Sequence, residues 1–133
     1  MSMRLTWLGC VAALAAAPAL AQDVDCANAE VQIEMTYCAE QDWLTADADL
    51  NPAYAVARKL MQGIDADLEA SQRGAADYLR DGQRAWVTFR DATCAAEGYT
   101  MHGGSAEPMV IYGCRARLTK QRTADLEAMS EEY

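Results

Sequence analysis

The chain has 133 residues, a formal net charge of −9 and five cysteines, and 52% of its residues are hydrophobic. This length fits one domain with a single core and is too short for two. The acidic balance argues against binding to nucleic acid or to an anionic membrane, and it favours cationic partners or cations. Acidity also serves solubility, so the charge alone identifies no partner.

The first 22 residues, MSMRLTWLGCVAALAAAPALAQ, have the layout of a secretory signal peptide. Arg4 precedes an apolar run over residues 5–17, and an Ala-x-Ala pattern ends at Ala21. We therefore predict residues 1–21 as a signal peptide cleaved after Ala21, with residues 22–133 as one periplasmic or secreted domain. The apolar run is shorter than the roughly 20 residues that a spanning helix needs, which disfavours a membrane anchor.

Cysteine usage agrees with export. Cys10 follows Leu8 and Gly9 as in a lipidation site, but Trp7 matches such a site poorly, so Cys10 is expected to leave with the signal peptide. Cleavage would remove Arg4 as the only charged residue of the segment and leave a net charge of −10. An even number of cysteines in an exported chain predicts two disulfides, and no C-x-x-C pair supports a redox site or a zinc ribbon. The four remaining cysteines are Cys26, Cys38, Cys94 and Cys114.

The remaining chain is patterned for helices throughout. Apolar residues recur at helical spacing over residues 27–50, with Asp25 as a cap, and the stripe then continues to a turn near Gly63. Asn51-Pro52 interrupts the first helix and predicts either a kink or a restart capped by Asn51. A second helix is expected over about residues 65–94.

A third helix is expected over about residues 106–130, with Ser105 as its cap and Pro108 in its first turn. No segment alternates like a half-buried strand. The predicted class is all-α: a small bundle of three to four helices, formed by a long helical hairpin and a packed C-terminal helix and stapled by two disulfides.

The hairpin constrains the disulfide pairing. Twelve helical residues between Cys26 and Cys38 span roughly 18 Å, which is too far for a bridge unless the helix begins late. A turn at residues 63–66 places residue i opposite roughly residue 129 − i, so Cys94 falls within about one turn of Cys38. These distances favour Cys38–Cys94 with Cys26–Cys114, and Cys94–Cys114 is the main alternative.

Two segments could carry chemistry on residue type alone. The run Asp47-x-Asp49-x-Asn51 begins like a calcium loop, but Pro52 replaces its glycine and Arg58 its last carboxylate, so we predict no metal site. His102, the only histidine, lies in a glycine-rich loop without a recognisable nucleophile and base. We predict no catalytic residue and no cofactor.

The densest stretch is GQRAWVTFRDATC, over residues 82–94. Trp86 and Phe89 are interpreted as core anchors rather than as a ligand platform. Arg90 lies at the edge of the same helical face and would need a partner if it were covered. The hairpin register suggests Glu34 as that partner, and the alternative is that Arg90 reaches solvent.

These residues and their surroundings resemble the LprI-type family, the lysozyme-inhibitor LprI-like domains. The resemblance covers nearly the whole chain after the signal peptide and departs from the family pattern at Val31, Thr36 and Pro52. The matching positions fall in blocks around Cys26–Cys38, Ala46–Tyr54, Gln83–Cys94 and Cys114–Leu126. Besides the cysteines, the motif residues singled out are Glu34, Leu50, Asn51, Tyr54, Gln83, Trp86, Arg90, Asp91 and Arg122.

Membership would imply a small exported protein that binds and blocks a cationic lysozyme or muramidase stoichiometrically. The acidic charge suits such a partner. The alternative is a periplasmic interaction or structural module that inhibits nothing, and an enzyme is the last choice. Because loops carry function more often than packed helices, residues 98–107 form the candidate partner-binding loop. The residues proposed there are Tyr99, Met101, His102, Gly103, Gly104 and Ser105.

Overall fold

The computed structural model describes residues 24–131. It contains three long helices: α1 (Gln32–Asp67), α2 (Ala75–Gly98) and α3 (Glu107–Glu131). Short 3₁₀ helices lie in the two connections, at Ala70–Gln72 and Tyr99–Met101. No strand occurs among the described residues, and the predicted all-α bundle is confirmed.

The helices run alternately up, down and up. α1 and α2 form an antiparallel hairpin, and α3 returns alongside α1. The side chain of Gln32, at the start of α1, approaches Met109 at the start of α3, and Lys120 reaches Asp42 further along the same pair. The starts of α1 and α3 therefore lie at one end of the bundle, together with the end of α2.

The core is small and rests on one face of α1. Ala46, Leu50, Ala53 and Ala57 recur at spacings of three and four residues and are all buried. Short alanine side chains on this face let the other two helices pack close to the α1 backbone. The main cluster consists of Leu50, Ala53, Ala57, Leu79 and Leu126, against which Tyr54, Met61, Trp86 and Met129 pack.

α1 continues through Pro52 without a break. The proline removes the N–H that would bond the carbonyl of Ala48 one turn earlier. Both Pro52 and Ala48 are exposed, so water can bond that carbonyl. The predicted restart at Asn51 is therefore wrong. A carbonyl that loses its helical hydrogen bond on a solvent-exposed face destabilises the helix only slightly, and this is not enough to end a helix whose opposite face is buried.

The hairpin turn lies at residues 68–74 and not at 63–66, and Gly63 is inside α1. Asp65, predicted to begin the second helix, lies instead in the last turn of α1. Its carboxylate accepts the backbone N–H groups of Gly74, Ala75 and Ala76 at 2.8, 2.9 and 3.0 Å. These hydrogen bonds lower the pKa of Asp65, and the side chain of one helix caps the start of the next.

Disulfides join Cys26 to Cys38 and Cys94 to Cys114, with Cα–Cα distances of 5.5 and 5.4 Å. The favoured pairing of Cys38 with Cys94 and Cys26 with Cys114 is wrong, and the alternative Cys94–Cys114 is correct. Two observations explain the error. α1 begins at Gln32 and not at residue 27, so the preceding segment can fold back instead of extending along the helix axis. The later hairpin turn also moves Cys38 away from Cys94.

The segment before α1 is organised by Asp25, although not as the predicted helix cap. Its carboxylate accepts the backbone N–H of Ala27 at 3.0 Å and the amide of Asn28 at 2.7 Å. The bond from Asn28 is the main cause of the lowered pKa of Asp25. The resulting turn brings Cys26 back toward the first turns of α1.

The predicted signal peptide, residues 1–21, lies outside the described residues. Within residues 24–131, none of the helices combines the length and apolar character that crossing a membrane requires.

Candidate functional site

The predicted partner-binding loop joins α2 to α3 at one end of the bundle. Tyr99 is 66% exposed, Met101 is 50% exposed, and both lie on the short 3₁₀ helix. The rings of Tyr99 and His102 stack in parallel with their centroids 4.2 Å apart. The loop therefore presents a flat aromatic pair and a methionine to solvent.

Glu107 fixes the shape of this loop from the first turn of α3. Its carboxylate lies 3.1 Å from Nδ1 of His102 and accepts the backbone N–H of Gly103 at 2.9 Å. The contact with His102 is the main cause of the lowered pKa of Glu107, followed by the bond from Gly103. Gly103 has φ of 75°, a conformation that favours glycine. The exposed side chains thus stand on a loop that is held in one shape before any partner binds.

Gly98 brings the loop close to α3. A methyl group at this buried position would lie 2.5 Å from Cγ1 of Ile111. The two helices can approach this closely only because residue 98 has no side chain. Four residues earlier, the Cys94–Cys114 disulfide joins the same two helices covalently.

α1 carries a second exposed apolar group, which begins at the same end of the bundle and extends about three turns along the helix to Leu44. Ile33 is 79% exposed, and Val31, Tyr37 and Leu44 are also largely exposed. Ile33, Tyr37 and Leu44 share one helical face. We call these four residues with Tyr99 and Met101 the apolar end.

The segment that contains the α1 part of the apolar end is acidic. No lysine or arginine occurs between residues 24 and 57, whereas that segment contains seven carboxylates. Two of the cations nearest to this end, Arg117 and Lys120, already pair with Glu97 and Asp42. Residues 24–57 thus carry exposed apolar side chains among carboxylates, of which Asp42 and Asp47 are paired with Lys120 and Arg90. The carboxylates of this segment are Asp25, Glu30, Glu34, Glu40, Asp42, Asp47 and Asp49.

Arg90 joins all three helices behind this surface. Its side chain is only 8% exposed and donates to Asp47 on α1 at 3.2 Å and to its neighbour Asp91 at 3.0 Å. A longer contact of 3.4 Å reaches the hydroxyl of buried Thr119 on α3. The predicted pair with Glu34 is wrong, because the later hairpin turn places Asp47, between three and four helical turns further along α1, opposite Arg90.

Aromatic rings enclose the same guanidinium group. Its carbon lies 5.6 Å from the ring centroid of Trp43 and 5.2 Å from that of Trp86, within cation–π range. Arg115 covers Trp43 at 4.9 Å, and Trp43 stacks on Tyr112. The cluster buries a positive charge between π-faces and carboxylates, an arrangement that orders a core rather than one that performs chemistry.

Two polar atoms in this cluster have no hydrogen bond among the described residues. One is the indole Nε1 of Trp43. The other is Nε of Arg115, which lies 3.4 Å from a carboxylate oxygen of Asp91, within ion-pair distance but without hydrogen-bond geometry. We therefore treat this contact as charge attraction only.

Phe89 does not belong to the core. Leu79, Gln83, Trp86 and Arg90 share the inward face of α2, and Phe89 lies about 100° from Arg90 around the helix. It is 58% exposed, so its prediction as a core anchor is wrong. Trp86 is partly buried and packs against the main cluster, as expected.

The other motif residues build the fold. Gln83 accepts a hydrogen bond from Nε of Arg122 at 2.9 Å, which ties α2 to α3. Leu50 and Tyr54 contribute to the core, whereas Asn51 is exposed. Glu34 is half-buried in the first turn of α1, away from Arg90. The motif residues that make contacts thus hold the three helices together and do not line a reaction centre.

The described residues contain no free thiol and no metal-binding cluster. All four cysteines of residues 24–131 are in disulfides, and His102 lies on a solvent-exposed loop, where its partner is the carboxylate of Glu107 at the start of α3. In that part of the chain, no group of three histidine, cysteine, aspartate or glutamate side chains is placed to hold a metal ion. The described residues together define a small all-α protein stapled by two disulfides.

Comparison with known proteins identifies the family. The family model described as "Lysozyme inhibitor LprI" matches residues 25–126, so the chain belongs to the LprI family. A protein of Rhizobium meliloti (strain 1021), described as uncharacterized protein R02472, is 42% identical over 120 residues, which cover 86% of each chain. No solved structure matches. The family and the two disulfides indicate an extracytoplasmic protein.

Proposed function

We propose that the protein is an exported inhibitor that binds a cationic lysozyme or muramidase in a one-to-one complex. Membership in the lysozyme-inhibitor family is the observation that carries this proposal. In the same proposal residues 1–21 are a signal peptide cleaved after Ala21, and residues 22–133 act in the periplasm or outside the cell. The protein performs no reaction of its own and uses no cofactor.

The apolar end is the proposed binding surface. An apolar centre within a polar rim is the usual anatomy of a protein interface, and exposed aromatic side chains often carry most of its affinity. The carboxylates of α1 would steer a cationic enzyme toward this end and speed association. Glu107 holds the loop in shape beforehand, so little ordering entropy is lost on binding.

The test is a cell-wall lysis assay in which the purified exported chain is titrated against c-type and g-type lysozymes. We expect inhibition that saturates at one equivalent and persists at about 0.15 M salt, where exposed charges are largely screened beyond roughly 8 Å. Inhibition that disappears at this salt concentration would indicate charge attraction only. No inhibition at micromolar excess in low salt would overturn the proposal.

Paired variants test the surface. Tyr99→Ala combined with Met101→Ala should weaken inhibition by roughly tenfold or more, because large apolar side chains at an interface centre carry much of the affinity. Tyr78→Ala is the matched control, since Tyr78 is 82% exposed but lies in the first turn of α2, at the opposite end of the bundle. Equal effects of the two changes would exclude the apolar end as the binding surface. If the wild-type protein inhibits neither lysozyme, the alternative is a non-inhibitory interaction module of the envelope.

A further inference from the structure

A groove between α1 and α2 collects arginines at the end of the bundle opposite to the apolar end. It has a volume of about 480 Å³. Because the helices are antiparallel, residues 54–62 of α1 form one wall and residues 76–84 of α2 form the other. The lining residues are Tyr54, Arg58, Gln62, Ala76, Asp77, Arg80, Gln83 and Arg84.

The charge of this groove is opposite to that of the chain. Three guanidinium groups line it against the single carboxylate of Asp77, in a protein with a net charge of −9. Arg80 is held by Asp77 at 2.6 Å and by Asp81 at 3.0 Å. Arg58 and Arg84 have no carboxylate within 4.0 Å among the described residues.

Placing like charges on both walls of a groove raises the free energy of the fold, because the guanidinium groups repel one another. An anion between the walls would turn this repulsion into attraction. Guanidinium groups bind the oxygens of phosphate through paired N–H donors, and they do so better than ammonium groups. The groove therefore has the charge and the donor type of a phosphate site.

Neutral polar groups extend the site beyond the charges. Gln83 uses its amide oxygen to accept from Arg122, which leaves its amide N–H₂ free to donate. Tyr54 and Gln62 add a phenol and a second amide to the α1 wall. The volume lies within the range of small-molecule sites, and these groups match the hydroxyls of a sugar.

We propose that this groove binds a phosphomonoester, with the dianionic phosphate between Arg58 and Arg84 and a hydroxylated remainder along the α1 wall. The proposal is independent of the inhibitor function, because it concerns the other end of the molecule. The phosphomonoester could belong to a free sugar phosphate or to a lipid headgroup. The experiment separates these two sources.

The test follows the amide and arginine Nε–H resonances of the full exported chain by ¹H–¹⁵N NMR, at about 0.15 M salt. The probes are inorganic phosphate, glucose 6-phosphate and glucose. We expect glucose 6-phosphate to shift the Arg58 and Arg84 signals saturably, inorganic phosphate to do so more weakly, and glucose to have no effect. A sedimentation assay with vesicles containing phosphatidate tests the lipid source.

Substitutions decide whether the groove is the site. Arg58→Gln and Arg84→Gln should each weaken glucose 6-phosphate binding by roughly fivefold or more, since each removes a charge-assisted donor pair. Lys59→Gln is the matched control: Lys59 is exposed, adjacent to Arg58 and outside the groove, so it should change affinity by less than about twofold. All three positions are exposed, and melting temperatures should stay close to that of the wild type.

The outcomes are distinct. If Lys59→Gln and Arg58→Gln weakened glucose 6-phosphate binding equally, the binding would depend only on the overall charge of the protein, and the proposal would be overturned. The proposal would also be overturned if neither inorganic phosphate nor glucose 6-phosphate shifted any signal and the protein did not bind the vesicles. Vesicle binding alone, abolished by Arg58→Gln, assigns the phosphomonoester to a lipid. Arg58→Gln and Arg84→Gln should leave lysozyme inhibition unchanged, so this proposal and the inhibitor function fail separately.

Discussion

Arg90 on α2 donates to Asp47 on α1 across 3.2 Å, which joins a buried guanidinium group to a half-exposed carboxylate. The guanidinium group also lies between the rings of Trp43 and Trp86 and reaches Thr119 on α3. A single side chain thus contacts every helix. Its methylene stem and planar head cover apolar surface that no smaller residue would fill.

Arg90→Ala should lower the free energy of unfolding by about 2–3 kcal/mol, through lost packing, cation–π contacts and hydrogen bonds. Arg90→Lys should recover only part of this loss, because an ammonium group cannot stack between two indoles and bond two carboxylates at once. Urea unfolding measures both. Arg117→Ala is the control, since it removes an exposed ion pair with Glu97 and should cost less than about 1 kcal/mol. Similar losses in Arg90→Ala and Arg117→Ala would contradict a central role for Arg90.

The disulfide pairing has a direct chemical test. No lysine or arginine separates Cys26 from Cys38, and none separates Cys94 from Cys114. A tryptic digest without reduction should therefore contain each bridge within a single peptide. The pairing of Cys38 with Cys94 would instead link two peptides, and mass spectrometry distinguishes these outcomes.

The two bridges should differ in their contribution to stability. Replacing Cys94 and Cys114 together by alanine should lower the free energy of unfolding by about 2–5 kcal/mol, because the bridge is buried and closes a loop between two core helices. Replacing Cys26 and Cys38 should cost less, because Cys26 is exposed and lies outside the helices. Urea unfolding under oxidising conditions compares the pairs, and the reverse order would contradict this account.

The sequence was sufficient to predict the helical class and the third helix, because strong local signals determine both. Apolar residues at helical spacing predict helix wherever the chain lies. Ser105 and Pro108 mark the start of α3 to within a residue or two of Glu107. The two disulfides also followed from the even number of cysteines outside the predicted signal peptide.

The hairpin turn could not be predicted, and the wrong partners assigned to Arg90 and Cys94 follow from it. Gly63 resembles a turn residue, yet it is exposed in the interior of α1, where an added methyl group would meet nothing within 4 Å. The turn lies further on because Asp65 caps α2 from the other helix, a contact between residues 9–11 positions apart that no local pattern shows. Because the turn lies later than predicted, the residues of α1 opposite Arg90 and Cys94 also differ from the predicted ones.

Asp65→Asn tests this cap through its dependence on pH. The pKa of Asp65 is lowered in the folded protein, so its stabilisation is fully present above the ordinary value of 3.8 and is lost as the pH falls through the folded value. At pH 7 the variant should melt roughly 3–8 °C below the wild type. The difference in melting temperature between the variant and the wild type should shrink as the pH falls below about 3.8. Thermal unfolding between pH 2.5 and 7 measures it.

The control for Asp65→Asn is Asp67→Asn, which removes the same charge two residues away at an exposed position. It should melt close to the wild type at every pH. A constant difference between Asp65→Asn and the wild type from pH 7 down to pH 2.5 would mean that the carboxylate charge does not act as the cap.

Gly98 and Gly82 should respond to alanine with opposite signs, although both lie in α2. At Gly98 the new methyl group would meet Ile111 at 2.5 and 2.9 Å, so α3 must shift and the free energy of unfolding should fall by about 1–3 kcal/mol. At Gly82 nothing lies within 4 Å, and alanine should raise the free energy of unfolding by about 0.5–1 kcal/mol through its better helix propensity. Because Gly98 seats the loop against α3, Gly98→Ala should also weaken lysozyme inhibition, whereas Gly82→Ala should not. Urea unfolding and the lysis assay check the pair, and a stabilising Gly98→Ala would show that the close approach of the two helices is not needed.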